Sequence, residues 1–327
     1  MRKIITMLCL SLVLSSCGGS DSYVLPSSVG RINKVLVVVK GSLWAGEVGD
    51  EIRKSLSELQ VGLPQSEPIL SLAQVAPSGF SSMMRKTRNI LVIEEGDSIK
   101  INTLKSKYAS PQTIVYLSAK DKEGIKEVVK ERAKEIIDIF RKSDIKQTQK
   151  IFQAKKLDDS VYKTLNNLNI SLTIPKEFKT VDDTGEFLWL RQHLRSGIAR
   201  GAGNNNILVY SLPLKDAAMM RDGISAMRDS IGEKYIPGAR EGMYMITEKA
   251  YAPHTYDVEL KGLKTYETRG KWEVKNAFMA GPFINYSIID EKNDRLLVVE
   301  GFTYAPSVNK REFLFELEAI AKSIVIN

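Results

Sequence analysis

The chain has 327 residues, of which 43% are hydrophobic and 26% are charged. A chain of this length can bury a sizeable core without disulfides, and two cysteines are too few for a disulfide framework or a thiolate zinc site. The formal net charge is +8, and removal of Arg2 and Lys3 with a signal peptide would leave +6. Because basic and acidic residues are interspersed, an ordinary solvated surface is favoured over attraction to anionic lipids or polymers. No nucleic-acid-binding motif is present, so nucleic acid is not an expected partner.

The N-terminus has the organisation of a secretory signal. Two basic residues precede an apolar run over residues 4–14, which is shorter than the about 20 residues of a membrane-spanning helix. Leu14-Ser15-Ser16-Cys17 then matches a bacterial lipobox, in which small residues precede the cysteine that receives diacylglycerol. We predict that residues 1–16 are a lipoprotein signal peptide and that Cys17 becomes the lipidated, palmitate-bearing N-terminus. The alternative is an ordinary signal peptide with an incidental cysteine.

Residues 17–30 are rich in glycine, serine and proline, which predicts a flexible tether between the lipid and the fold. No later run approaches membrane-spanning length, so the lipid is the expected anchor, and more than one acyl chain makes such an anchor stable. Asp21 is the only charge near Cys17, and no acidic export signal is apparent. The predicted location is the cell envelope, on the outer membrane facing the periplasm.

An N-terminal subdomain is predicted over residues 31–150. The continuous apolar run 34–39 predicts a buried strand, and Val48, Ile52 and Leu56 follow at helical spacing. Residues 89–93 and 98–101 flank a glycine-containing turn and predict a hairpin. A further strand is predicted over 113–118, and a long amphipathic helix over 121–141.

A C-terminal subdomain is predicted over residues 151–327. Alternating or apolar runs predict strands at 170–175, 187–192 and 207–212, and the spacing of Met220, Ile224 and Met227 predicts a helix. Two long antiparallel strands are predicted at 283–290 and 295–304. The last helix is expected to begin with a capping box over 309–312.

The predicted fold class is therefore α+β, with largely antiparallel sheets packed against helices in two α/β subdomains. The element order of the second half resembles that of PsbP- and Mog1-like proteins.

Few residues suit metal or cofactor chemistry. The two histidines, His193 and His254, are some sixty residues apart, and neither has a second histidine nearby. No G-x-S-x-G nucleophile motif is present. The glycine-rich loop at Gly201 precedes a strand, whereas a phosphate-binding loop must follow a strand and open a helix. We expect no metal and no cofactor.

Carboxylates leave one enzymatic alternative open. Glycoside hydrolysis uses two carboxyl groups whose proximity depends on the fold, so a periplasmic hydrolase acting on cell-wall or glycan substrates is the second hypothesis. Glu47, Asp50 and Glu67 are its nearest candidates, although ordinary surface charges are favoured for all three.

Aromatic and basic residues lie together in glycine- and proline-rich stretches that predict turns. Such residues suit recognition of a protein or a polymer, and structural roles remain the alternative for each. The leading hypothesis is a non-catalytic binding or scaffolding module that recognises an envelope protein or polymer. The candidate binding residues are Trp44, Arg240, Tyr244, Arg269, Trp272, Tyr304 and Arg311.

The same stretches are similar to those of an uncharacterised lipoprotein family of Bacteroidota, a domain of unknown function. The resemblance covers nearly all of the mature chain. It implies an envelope lipoprotein and supplies no catalytic residues. It is carried by Trp44-Ala-Gly-Glu47 with Gly49-Asp50 and Arg53, Leu63-Pro-Gln65 with Glu67-Pro68, Arg269-Gly-Lys-Trp272, Met279-Ala-Gly-Pro-Phe283, and Gly301-Phe-Thr-Tyr-Ala-Pro306 with Lys310-Arg311.

Overall fold

A computed structural model describes residues 24–194, 203–215, 217–306 and 308–327. The predicted lipidation site, Cys17, lies outside these residues. The helices are α1 (Gly41–Trp44), α2 (Glu47–Leu56), α3 (Ser82–Arg85), α4 (Lys122–Gln153), α5 (Lys163–Asn167), α6 (Ala217–Asp222), α7 (Ile224–Tyr235) and α8 (Arg311–Ala321). The strands are β1 (Lys34–Val38), β2 (Ser71–Val75), β3 (Asn89–Glu95), β4 (Lys100–Lys105), β5 (Thr113–Ala119), β6 (Ile170–Ser171), β7 (Lys179–Asp183), β8 (Phe187–Leu194), β9 (Gly203–Pro213), β10 (Met245–Thr247), β11 (His254–Leu260), β12 (Leu263–Val274), β13 (Ala280–Asp290), β14 (Arg295–Tyr304) and β15 (Val325–Ile326). The predicted α+β class is confirmed.

The N-terminal sheet has five strands in the order β2-β1-β3-β5-β4. Its first four strands are parallel, unlike the antiparallel pairs elsewhere, and β4 is antiparallel to β5. Buried valines of β1 and β5 pack against α2 and α4 on one face. Continuous apolar strands of this kind are typical of a parallel sheet.

The predicted hairpin between residues 89–93 and 98–101 is wrong. Strand β5 lies between the two segments and pairs with both of them, with β3 in parallel and with β4 in antiparallel register. Most side chains of β4 are exposed, as suits a strand at the edge of a sheet. The apolar β3 gains more burial in the sheet interior than it would beside β4.

Helix α4 extends through Gln153, well beyond the predicted end at residue 141. It begins where predicted, because the Asp121 carboxylate accepts a hydrogen bond from the Gly124 N–H at 2.9 Å. Its first half packs on the N-terminal sheet, whereas Ile145 and Phe152 pack into the core of the C-terminal half. The apolar stripe is therefore continuous but changes partner along the helix.

The C-terminal sheet is antiparallel and has eight strands. Its central path is β10-β12-β13-β14-β9-β8-β7, and β11 pairs with β12. Strands β13 and β14 confirm the predicted long pair, and they extend from Asp290↔Arg295 at the turn to Phe283↔Phe302. One face packs on α8, α5 and the end of α4, and the other packs on α7.

Three smaller expectations about this half are corrected. The strand predicted at 170–175 is only β6, which pairs with β15. The single helix predicted around Met220 and Ile224 is two helices, α6 and α7. The capping box expected at 309–312 does not form, because α8 begins at Arg311 and the side chain of the preceding residue, Lys310, makes no capping hydrogen bond. Within the described part of the chain, no helix is both long and apolar enough to cross a bilayer.

Candidate functional site

A cavity of about 250 Å³ lies on the α7 face of the C-terminal sheet. One wall consists of strand residues, and the other is the segment that leads from α7 into β10. Most of the lining is aromatic or aliphatic, with methionine on two sides. The lining residues are Trp189, Arg191, Asn204, Ile236, Pro237, Gly238, Ala239, Met243, Met245, Trp272, Val274, Ala277, Met279, Phe302 and Tyr304.

The sheet wall is built from side chains that alternate along neighbouring strands. Trp272 lies in β12, and its ring centroid is 5.3 Å from that of Phe302 and 6.4 Å from that of Tyr304 in β14. Its indole N–H donates to the Thr303 carbonyl at 3.3 Å. Gly281 permits this approach, because a Cβ there would lie 2.0 Å from the same carbonyl oxygen. The aromatic wall is therefore held in a defined orientation.

The opposite wall is a short hairpin-like segment over residues 236–245. The Gly238 N–H donates to the Met243 carbonyl at 2.7 Å, and the Met245 N–H donates to the Ile236 carbonyl at 3.1 Å. A Cβ at Gly232 would lie only 1.8 Å from the Met245 carbonyl, so a glycine in α7 lets the helix approach β10. Met243 and Met245 can adapt to ligands of different shape because their side chains are flexible and polarisable.

The rim carries an exposed apolar turn between β12 and β13. Phe278 is fully exposed at this turn, and Met279, which lines the cavity, is partly exposed. Large apolar side chains that remain exposed beside a cavity are typical of binding surfaces.

Arg191 is the charged side chain of the cavity. Its guanidinium carbon lies 4.7 Å from the centroid of the Trp189 ring. Its Nε–H donates to Asn206 Oδ1 at 3.1 Å, an oxygen that also accepts the Trp189 indole N–H at 2.9 Å. No carboxylate in the described part of the chain forms an ion pair with Arg191. Burial lowers the pKa of its guanidinium, so an anion in the cavity would restore electrostatic stabilisation that burial removes.

Four of the predicted binding residues lie in or beside this cavity. Trp272 and Tyr304 line it, and Tyr244 and Arg240 belong to the 236–245 segment. The Lys275 ammonium donates to the Tyr244 hydroxyl at 2.9 Å, which places a further cation near the rim. Arg240 is exposed.

Arg269 lies elsewhere, and the turn predicted around it is wrong. Residues 269–272 belong to β12, where the glycine serves close packing, since a Cβ at Gly270 would lie 2.8 Å from the Phe283 ring. The buried Arg269 guanidinium donates to Glu267 at 2.7 Å and to Glu318 at 2.8 Å. Burial opposes the charge, but these two carboxylates raise the pKa of Arg269 well above its usual value. Its hydrogen bonds tie β12 to α8.

The two remaining predicted residues also have intramolecular partners. The buried Arg311 donates to the Pro68 carbonyl at 2.7 Å and to the Ser71 hydroxyl at 2.9 Å. Trp44 ends α1, and the Arg53 guanidinium lies 4.7 Å from its ring centroid. The structure thus brings together four of the seven predicted residues and separates Trp44, Arg269 and Arg311 from them.

Comparison with known families places the chain in one of them. A family model described as "Domain of unknown function (DUF4837)" matches residues 157–323, which is half of the chain.

The chain belongs to this family.

A second model, "Domain of unknown function (DUF8532)", matches residues 28–153. No curated protein matches the chain by sequence. Among solved structures, the chain is similar to the Saccharomyces cerevisiae Ran-binding protein Mog1p, at 11% identity and a TM-score of 0.34, over 48% of this chain and 90% of that one. A Mog1 mutant is similar at 10% identity with the same coverage and TM-score. All residues of the cavity lie within the DUF4837 match.

The carboxylates proposed for hydrolysis have separate partners. Glu47 pairs with Lys126, which lowers the pKa of the Glu47 carboxyl, whereas a general acid needs a raised pKa. Asp50 pairs with Arg53 at 2.7 Å. Glu67 is buried and accepts hydrogen bonds from the start of α8. The hydrolase hypothesis therefore gains no support from these three residues.

One titratable group was missed by the sequence analysis. Glu316 lines a cavity of about 100 Å³ together with Lys155, Gln192 and Asn205. Burial, together with the neighbouring Glu312, raises the pKa of the Glu316 carboxyl to about 7. Two glutamates four residues apart, Glu312 and Glu316, on a helix with a broad apolar face were the available signal. No cluster of three or more potential metal ligands occurs among the residues described.

Proposed function

We propose that the protein is a lipid-anchored cell-envelope binding protein without catalytic activity. Its cavity binds a segment of an envelope partner or polymer that combines an aromatic or aliphatic group with a negative charge. The observation that carries this proposal is a partly buried arginine, Arg191, that lines a mostly apolar cavity without a carboxylate partner among the described residues.

The walls of the cavity favour an aromatic or aliphatic group in the ligand. Trp189, Trp272, Phe302 and Tyr304 offer faces and edges against which an aromatic ring can pack. Such rings contribute about 0.5–1.5 kcal/mol beyond their buried area. A cavity of about 250 Å³ suits one large side chain or a comparable group, and is smaller than most drug-binding pockets.

The electrostatics of Arg191 favour a negative charge on the ligand. A carboxylate, sulfate or phosphate oxygen stabilises a partly dehydrated guanidinium more than it stabilises a fully hydrated guanidinium. Its fork of N–H donors fits such groups, and only the Nε–H of Arg191 is engaged with a described side chain. Charge-assisted hydrogen bonds of this kind contribute about 1.5–3 kcal/mol.

The sequence and the family resemblance support the lipid anchor and the location in the envelope. The Leu14–Cys17 lipobox supports lipidation of Cys17, and the first described residue, Val24, is exposed. A lipidated protein in the envelope meets partners at the membrane surface, where a preformed cavity can bind them without a change of fold.

Photo-crosslinking in the native host tests this proposal. Benzoylphenylalanine at position 279, which lines the cavity, should form an adduct with a partner, and Arg191→Gln should reduce its yield several-fold. Benzoylphenylalanine at position 181, exposed on β7, and Arg132→Gln on the exposed face of α4 are the matched controls. Equal adduct yields from positions 279 and 181, or a yield at position 279 that Arg191→Gln does not change, would contradict the proposed site. Mass spectrometry of the N-terminal peptide tests the anchor separately.

A further inference from the structure

The N-terminal sheet has a second face that the long helices do not cover. Its buried members are Val38, Ile90 and Ile114, opposite the face on which α2 and α4 pack. Among the described residues, only short segments pack there, around Phe80 and Tyr108. Parallel strands are normally covered on both faces, so this arrangement is unusual.

We call this the open face and define it by eight residues. They are Phe80, Met83, Met84, Arg85, Leu104, Lys107, Tyr108 and Tyr116.

The open face combines exposed apolar groups with cations. The Met83 side chain is 78% exposed on α3, and Met84 and Leu104 are also exposed. The Arg85 guanidinium lies 5.6 Å from the Phe80 ring and 5.4 Å from the Tyr108 ring.

Lys107 lies between two aromatic rings of the open face. The Lys107 ammonium lies 5.1 Å from the Tyr108 ring and 5.3 Å from the Tyr116 ring, and it donates to the Tyr116 hydroxyl at 3.2 Å. Glu94 and Lys100 both line the cavity at the far end of this face. No carboxylate in the described ranges pairs with Arg85 or Lys107. Basic and apolar groups in this combination are typical of surfaces that contact anionic lipids.

The chain enters the fold beside the open face. The Pro26 carbonyl accepts from the Ser110 N–H at 2.8 Å, and the Val29 N–H donates to the Lys86 carbonyl at 2.9 Å. Both partners are near neighbours of open-face residues, since Ser110 comes two residues after Tyr108 and Lys86 follows Arg85.

The distance along the chain to the predicted lipid is short. Seven residues lead from Cys17 to Val24, which span at most about 25 Å when fully extended. A lipid on Cys17 would therefore hold the bilayer surface within about 25 Å of Val24, two residues before Pro26, where the chain hydrogen-bonds to the fold.

We infer that the open face lies against the anionic surface of the membrane that carries the lipid anchor. The inference rests on the proposed anchor and adds an orientation to it. The lipid head groups supply negative charge to Arg85 and Lys107, and Met83 and Met84 enter the boundary between head groups and acyl chains. The cavity around Trp272 lies on the other sheet and is left for the partner.

The test uses the full lipidated protein, reconstituted into vesicles that contain phosphatidylglycerol and phosphatidylethanolamine. Met83→Cys is labelled with an environment-sensitive nitrobenzoxadiazole probe, and Val181→Cys, exposed on the C-terminal sheet, is the matched control. We expect a blue-shifted emission at position 83 and none at position 181. Phosphatidylcholine vesicles should give a smaller shift.

Neutralising Arg85 and Lys107 should reduce contact between the open face and the membrane. In Arg85→Gln/Lys107→Gln, the ratio of contacting to detached orientations should fall by about thirtyfold, at about 1 kcal/mol for each basic residue lost. The matched pair Lys130→Gln/Arg132→Gln, on the exposed face of α4, should leave the emission unchanged.

Three results would overturn the inference. A protein that is lipidated by mass and floats with vesicles, but whose probe at position 83 emits like that at position 181, would keep the anchor and refute the orientation. An unmodified Cys17 would refute both. Burial of the probe only after envelope proteins are added would assign the open face to a protein partner.

Discussion

The carboxylate of Glu67 caps helix α8 across 243 residues of sequence. Its Oε1 accepts a hydrogen bond from the backbone N–H of Lys310 at 2.6 Å, and its Oε2 accepts one from that of Arg311 at 3.2 Å. The first N–H groups of a helix lack partners within the helix, and the dipole there favours a negative charge. A residue of the N-terminal half therefore completes a helix of the C-terminal half.

Removal of this cap should destabilise the whole protein. We expect Glu67→Ala to lower the free energy of unfolding by about 1–3 kcal/mol, because buried N–H groups lose their acceptor. Glu67→Gln retains an acceptor and should cost less. Urea denaturation measures both, with the exposed neighbour Ser66→Ala as control. Equal stability of Glu67→Ala and Ser66→Ala would show that the cap contributes nothing.

The buried ion-pair network around Glu318 should be a second point of sensitivity. Glu318 accepts hydrogen bonds from Arg141 at 2.5 Å and from Arg269 at 2.8 Å, which connects α4, β12 and α8. Arg269→Met should cost about 3–5 kcal/mol, because Glu267 and Glu318 remain buried with less compensation. Arg132→Met, on the surface, should change stability by no more than about 0.5 kcal/mol.

A double-mutant cycle separates this network from simple loss of packing. If the charge pair matters, Arg269→Met/Glu267→Gln should cost less than the sum of the two single substitutions. If the losses of stability of the two single substitutions simply add in the double variant, the two charges do not stabilise each other and the proposed role of the ion pair is contradicted. Because the loss is one of stability, Arg269 is unsuitable for testing ligand binding.

The raised pKa of Glu316 predicts a decline in stability with pH. The unfolded chain releases the Glu316 proton near pH 4.5, whereas the folded protein retains it until about pH 7. The unfolded state therefore binds fewer protons in this window, and the free energy of unfolding falls as pH rises through it, by at most about 3 kcal/mol.

Glu316→Gln should remove that decline. Urea denaturation at several pH values between the two pKa values measures it, and Glu291→Gln, in the exposed turn before β14, is the control. Glu312→Gln should weaken the decline, since the Glu312 charge helps to raise the pKa of Glu316. Parallel stability profiles for Glu316→Gln and the unsubstituted protein would contradict the assignment.

Local patterns in the sequence were sufficient for much of the fold. The two long, largely apolar runs at β13 and β14 and the polar turn between them identified both strands, and Asp121 marked the start of α4 because its cap is local. Long-range pairing was not accessible in this way. Nothing near β3 and β4 indicates that β5 lies between them, and nothing near α8 indicates that Glu67 caps it.

The candidate site was only partly predictable for the same reason. Trp272 was selected from a stretch that predicts a turn, and Tyr304 from the stretch that ends the predicted strand 295–304. Both belong to strands and reach the cavity through the register of the sheet. Arg191 was missed because a single cation in the strand sequence FLWLRQHL resembles the polar residue of an ordinary alternating strand. Its position two residues from Trp189, on the same side of β8, was the available signal.

Calorimetric titration with naphthalene-2-sulfonate and with the uncharged 2-naphthalenemethanol tests the central claim most directly. The two probes share the apolar group that the cavity should accept and differ in the charge that Arg191 should bind. We predict that the sulfonate binds at least about tenfold more tightly, and that Arg191→Gln abolishes this preference while Arg132→Gln preserves it. Equal affinities for the two probes, or a preference that survives Arg191→Gln, would contradict the account.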